Sequence, residues 1–79
     1  MTVSGIVMAV RPEHLDEMAG VVNGLDWAEV HYTDEHGRLV VTIEASDIDE
    51  SMNRLKELQG LPLAIMAELA EFVVDEADD

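Results

Sequence analysis

The side chains able to do chemistry in this chain are three histidines, a few serines and many carboxylates, and their spacing decides what they can do. His14, His31 and His36 fall on segments that read as a helix, a strand and a turn. Glu13, His14 and Glu17 would line one side of a surface helix, which builds neither a closed nor an open metal site. With no cysteine there is no thiolate cluster, no disulfide and no thiol nucleophile. Ser4, Ser46 and Ser51 lack a base and an orienting acid arranged as a triad would need. Gly5 stands alone instead of opening a phosphate-binding loop. Carboxylate pairs abound, but an acidic chain supplies them by chance, and no cleft is legible that would raise the pKa of one member. No catalytic residue, metal ligand or cofactor is expected, so the chain reads as a binding protein, not an enzyme.

Charge is the strongest compositional signal. Eighteen acids face only Arg11, Arg38, Arg54 and Lys56, giving a formal charge of −14 over 79 residues. A nucleic-acid binder needs a positive stripe to displace counterions from phosphates, and four scattered cations cannot make one. An anionic membrane surface is disfavoured for the same reason, and no apolar run approaches the ~20 residues of a bilayer span. A cationic partner, in contrast, would be drawn in. Part of the excess sits in Asp75-Glu76-Ala77-Asp78-Asp79, expected to be a solvated acidic tail. Without those four acids the body is still near −10. Met1-Thr2-Val3 offers no basic leader, and the lack of cysteine suits a reducing compartment, so a cytoplasmic location is the expectation.

The elements that must position these groups follow from hydrophobic spacing. Val3 to Val10 is an apolar run of strand length. Pro12 suits the first turn of a helix, where its missing N–H would be unpaired anyway, and Leu15, Met18, Ala19 and Val22 then mark one buried face. Asn23-Gly24 closes that helix, with Gly24 expected in a left-handed cap. Ala28, Val30 and Tyr32 alternate with Glu29, His31 and Thr33, while Trp27 at the strand's start is a packing residue. Leu39, Val41 and Ile43 alternate with Arg38, Val40, Thr42 and Glu44. Asp34-Glu35-His36-Gly37 joins the two arms as a hairpin turn. Ser46 or Asp47 offers an N-cap, with Asp49 or Glu50 three residues on. Ile48, Met52, Leu55 and Leu58 predict the buried stripe of a second helix, with Glu50, Arg54 and Glu57 towards water, and Gly60 and Pro62 end it. The segment from Leu63 to Val74 is expected to be the last strand, although its first half is rich in helix formers and Glu68 interrupts its pattern.

This order, β-α-β-β-α-β, has two halves of equal length. Gly24-Leu25 recurs as Gly60-Leu61, and Ala19 and Val22 are matched by Leu55 and Leu58, all offset by 36 residues. Two interlocked βαβ units with right-handed crossovers predict an α+β ferredoxin-like sandwich: a four-stranded antiparallel sheet with both helices on one face. Residues 1–74 would form this one domain. Ala28, Val30, Tyr32, Leu39, Val41 and Ile43 should meet the helices, together with Ile6, Met8 and Val10. That leaves Gly5, Val7 and Ala9 on the open side, beside Glu29, His31, Val40, Thr42 and Glu44. Such a face is small and apolar at its centre and carboxylate-bearing towards its edges. It could hold an apolar segment while Glu29 and Glu44 attract cations. Pairing with a second copy would cover the same patch, so a homodimer is the alternative.

Three stretches, "SGIVMAVRPEHL" at 4–15, "AEVHYTDEHGRLVVTIEASD" at 28–47 and "LKELQGLP" at 55–62, make the chain similar to the NapD family, assembly chaperones of periplasmic nitrate reductase. The resemblance runs through nearly the whole chain in order. It implies a ferredoxin-like fold, no enzymatic activity and a cytoplasmic site of action. It also implies binding of the twin-arginine signal peptide of the molybdenum-dependent catalytic subunit, or of a related exported molybdoenzyme, which delays export until cofactor insertion. On this resemblance the peptide-binding residues are Gly5, Val7, Ala9, Glu29, His31, Val40, Thr42 and Glu44. The stretch "LAIMAELAEFVVDE" departs from the family's ending, which a bulge, a shifted register in the last strand or a specialised paralogue would each explain.

Overall fold

The computed structural model describes residues 1–74, the last four by their backbone alone. Its elements are β1 (Thr2–Ala9), α1 (Leu15–Asn23) entered through a 3-10 turn at Pro12–His14, β2 (Ala28–Thr33), β3 (Arg38–Ala45), α2 (Ile48–Gln59) and β4 (Met66–Val74). The acidic tail expected at 75–79 lies outside the described residues. The sheet order is β2-β3-β1-β4 with every neighbouring pair antiparallel. This is the ferredoxin-like sandwich. The first strand lies in the middle, so each βαβ crossover carries the chain over the same face.

Burial along β1 alternates without a break. Thr2, Ser4, Ile6 and Met8 are buried, while Val3, Gly5, Val7 and Ala9 are only half-buried. Ile6, Met8 and Val10 join Leu39, Val41 and Ile43 of the hairpin, Met18 and Val22 of α1, and Leu55 and Leu58 of α2 in one core. Leu15 and Ala19 pack against it from the edge of α1. The last strand begins at Met66, three residues later than its sequence suggests, and contributes Ala67 to the core. Gln59 at the end of α2 donates its Nε2 to the Ala67 carbonyl at 2.9 Å, which ties helix to strand.

Three expectations about the helices need correction. Gly24 has φ −76° and ψ −11°, a right-handed conformation, because the chain leaves α1 by extending the same turn: Leu25 N–H reaches the Val22 carbonyl at 3.0 Å. Gly60 is right-handed too, so the repeated Gly-Leu pair marks the same exit from both helices, each leucine half-buried against the core. In α2 the buried stripe is Ser51, Leu55 and Leu58, whereas Ile48 and Met52 are 51% and 37% exposed. The first turn of α2 meets the sheet through Ser51 Oγ, 2.8 Å from Thr2 Oγ1, and that polar contact rotates the larger side chains to the flanks. Nor does Arg54 point to water. Its guanidinium lies 5.2 Å from the centre of the Trp27 ring and binds Glu50 at 3.4 Å and the Glu44 carbonyl.

Local sequence explains the junctions. Asp47 caps α2, its Oδ1 accepting from Glu50 N at 2.8 Å, and Glu50 reaches back to the Ser46 amide at 2.7 Å, a reciprocal cap displaced one residue outward. In the hairpin turn Asp34 Oδ1 accepts from the amides of His36 and Arg38 at 2.9 and 3.0 Å. Gly37 there has φ +92°, and a Cβ would lie 2.0 Å from the Val10 carbonyl oxygen. The turn thus docks on the end of β1, where Gly37 accepts from Val10 N–H at 2.8 Å.

Candidate functional site

Both helices lie against the face bearing Ile6, Met8, Val41 and Ile43, so among the described residues the opposite face of the sheet carries no covering element. Cross-strand register builds that face row by row, since residues directly opposite share a side. Glu29, Thr42 and Gly5 form one row across β2, β3 and β1. Tyr32, Val40, Val7 and Glu68 form the next across all four strands. Arg38, Ala9 and Met66 form the last, and Glu44 pairs with Val3 at the opposite end. Gly5, Val7, Ala9, Glu29, His31, Val40, Thr42 and Glu44 therefore share this one surface.

Tyr32 belongs there too, which corrects its expected place against the helices. The β2–β3 register shifts between Val30 and Tyr32: Val30 faces Val41, and Tyr32 faces Val40, leaving His31 as an extra residue. A bulge of this kind puts two consecutive side chains on one side of the ladder. His31 Nε2 lies 2.7 Å from Thr42 Oγ1 and 3.9 Å from Glu29 Oε1, which places its ring on the open face beside both. Tyr32 stands beside it, 59% exposed, with Val40 at 40% exposed. The sequence carries no signal for this. Counting outward from an Asp34–Gly37 turn pairs Tyr32 with Leu39 and Val30 with Val41 in a regular ladder, whereas the structure sets Asp34 opposite Arg38, its N–H reaching the Arg38 carbonyl at 3.0 Å, and takes up the difference at His31.

Glu68 is the other residue that alternation alone did not place. A second bulge makes Gly5 face Glu71 and Ile6 face Leu69, leaving Ala70 extra. On the near side of the shift Glu68 stands opposite Val7. The apolar centre, Val7 and Val40, is thus bordered by Glu68 on one flank and Glu29 on the other.

Three of the four basic side chains, Arg11, Arg38 and Arg54, are engaged in ion pairs within the chain. Arg11 pairs with Glu13 at 3.0 Å, and Arg38 pairs with Asp34 at 3.4 Å. Amides hold three carboxyls below their usual range: the Arg38 amide first for Asp34, the Ser46 amide for Glu50, and its own amide for Glu13. Glu29, Glu44 and Glu68 make no ion pair with Arg or Lys among the described residues. No three His, Asp or Glu side chains converge as metal ligands among those residues. No helix there is long and apolar enough to cross a membrane.

A family model described as NapD protein matches residues 1–75. The chain belongs to the NapD family. Among solved structures it is similar to the solution structure of the E. coli Tat proofreading chaperone protein NapD, with a TM-score of 0.82 and 20% identity. That match covers 94% of this chain and 79% of the other, and at this identity it speaks for the fold. A search of curated proteins finds no match. NapD membership supports a chaperone role.

Proposed function

We propose that this NapD-family chain is a cytoplasmic, non-catalytic chaperone that binds the twin-arginine signal peptide of a periplasmic nitrate reductase catalytic subunit or a related molybdoenzyme. By holding that peptide it delays export until the cofactor is inserted. The single observation that carries the reading is the open face, where Val7 and Val40 lie between Glu29 and Glu68 with no helix above them among the described residues. Twin-arginine signals join a basic region to an apolar segment, and each part meets its complement here. Arginine–carboxylate bonds contribute about 1.5–3 kcal/mol each, while a micromolar complex needs only about 8 kcal/mol in all. A modest affinity suits a partner that must be released. A homodimer through this face would set Glu29 and Glu68 of two copies against one another, which like-charge repulsion opposes.

Calorimetric titration with a twin-arginine peptide and its Lys-Lys and Ala-Ala variants tests the reading. The expected order is Arg-Arg tightest, Lys-Lys weaker for want of bidentate pairing, and Ala-Ala weakest by roughly tenfold or more. Equal binding of all three, or binding of none, overturns it. A dimer whose sheet amides are protected from hydrogen exchange would overturn it in favour of self-association.

A further inference from the structure

The open face is electrically lopsided along its length. At one end Glu44 faces Val3, and Glu29 shares a row with Thr42 and Gly5. Asp26 joins them around a depression of about 70 Å³ beside Thr42. The basic side chain at this end is Arg54, engaged from the helix side by Glu50, the Glu44 carbonyl and the Trp27 ring, and the Met1 amino terminus lies here as well, beside Asp26 and Glu44. At the other end stand two of the four cations of the chain, Arg38 facing Ala9 and Arg11 just beyond β1, each in a pair with its own acid. Glu35 lies in the hairpin turn beside Arg38. Beside these pairs the surface is apolar, with Met66 facing Ala9 and Ile65 66% exposed. Glu68 lies on the flank at mid-length, opposite Val7.

Resting on the signal-peptide reading above, we propose that the peptide lies along β1 in one direction only. Its arginines sit at the Glu29–Glu44 end, and its apolar segment runs past Tyr32 towards Met66. Ala9 lies six residue steps beyond Val3, about 20 Å of strand, which a helical segment of about 13 residues would span. The Debye length at physiological salt is about 8 Å, so arginines placed at the far end would lose Glu29 and Glu44 and meet Arg38 and Arg11 instead. Tyr32, lifted onto the face by the His31 bulge, is the rigid aromatic anchor at mid-length. Aromatic anchors of this kind dominate binding surfaces because they bring large area with few rotors.

The experiment uses a synthetic peptide of two arginines followed by an apolar stretch of about ten residues, carrying a photoreactive benzoylphenylalanine either before the arginines or at the apolar end. After irradiation with the full chain, digestion and mass spectrometry locate the crosslinks. The first peptide is expected to label Asp26–Glu29 or Glu44, and the second Ile65–Met66 or Arg38. Swapped labelling, or both peptides labelling both ends equally, overturns the orientation while titration still shows binding. Absence of binding in that titration overturns the chaperone reading itself. Tyr32→Ala is expected to weaken binding roughly tenfold, with Tyr32→Phe within about twofold of the parent. An affinity unchanged in Tyr32→Ala removes the anchor.

Discussion

Two carboxylates and one glycine show how differently single residues act here. Glu29 and Glu44 are exposed and make no contact on which the core depends. Glu29→Lys combined with Glu44→Lys should therefore weaken twin-arginine peptide binding at least roughly tenfold while leaving the thermal midpoint within a few degrees, as paired titration and calorimetry would show. Loss of fold in that double variant would mean that the two sides of the sheet are reversed. Gly37 is the opposite case. Its φ of +92° and the 2.0 Å approach of a would-be Cβ to the Val10 carbonyl leave no room for a side chain. Gly37→Ala should cost at least about 2 kcal/mol, read as a lower urea midpoint. The two-fold period of β1 made Gly5, Val7 and Ala9 legible as one side of a strand, because nothing interrupts it. Ile48 and Met52 were misplaced because apolar spacing is blind to a hydroxyl pair such as Thr2–Ser51, which turned α2 about its axis.

At the scale of elements, the bulges are what strand periodicity could not reveal. Alternation counts sides along one strand and has no knowledge of the partner's register, so an extra residue reverses every later assignment. That is why Tyr32 was expected in the core. The bulge makes a prediction that a regular strand would not. Removing His31 deletes the extra residue and leaves Val30 facing Val41 and Tyr32 facing Val40 in an unbroken ladder. The deletion variant should lose less than about 1 kcal/mol and keep Tyr32 accessible, measured by urea unfolding and by solvent quenching of tyrosine fluorescence in a Trp27→Phe background. A large destabilisation would show that β2 is regular. The helix caps are a simpler matter: the Asp47 cap was legible as a short polar residue three positions before Glu50. Asp47→Ala should cost about 1 kcal/mol, detected in the same unfolding experiment.

For the molecule as a whole, charge and fold act on separate properties. A net charge of −14 does nothing to specify a sandwich, yet it governs how the protein meets a basic ligand. Peptide affinity should fall roughly tenfold between 50 and 500 mM salt and then level off, because the apolar contacts with Val7, Val40 and Tyr32 are not screened. A salt-independent affinity would argue that the carboxylates take no part. Stability should respond to acid in a definite sense. Asp34, Glu50 and Glu13 are held below their usual range chiefly by backbone amides, so their folded pKa values are depressed. The stability they lend is complete above the unfolded values and lost as the pH falls through the folded ones. Urea midpoints should thus be flat from neutrality to about pH 5 and decline below about pH 4. The βαββαβ order was legible because each half repeats the same strand, helix and Gly-Leu exit.

Placing the first strand at the centre has a temporal consequence. As the chain emerges during synthesis, β1 appears first, yet its neighbours β3 and β4 come from the middle and the end of the sequence. Neither long-range pairing can form until its later strand has been made, and such distant closures are slow. Val7 acquires Glu68 beside it only with the final strand, and half of its border is missing until then. A nascent chain thus lacks the completed open face until β4 joins the edge of the sheet.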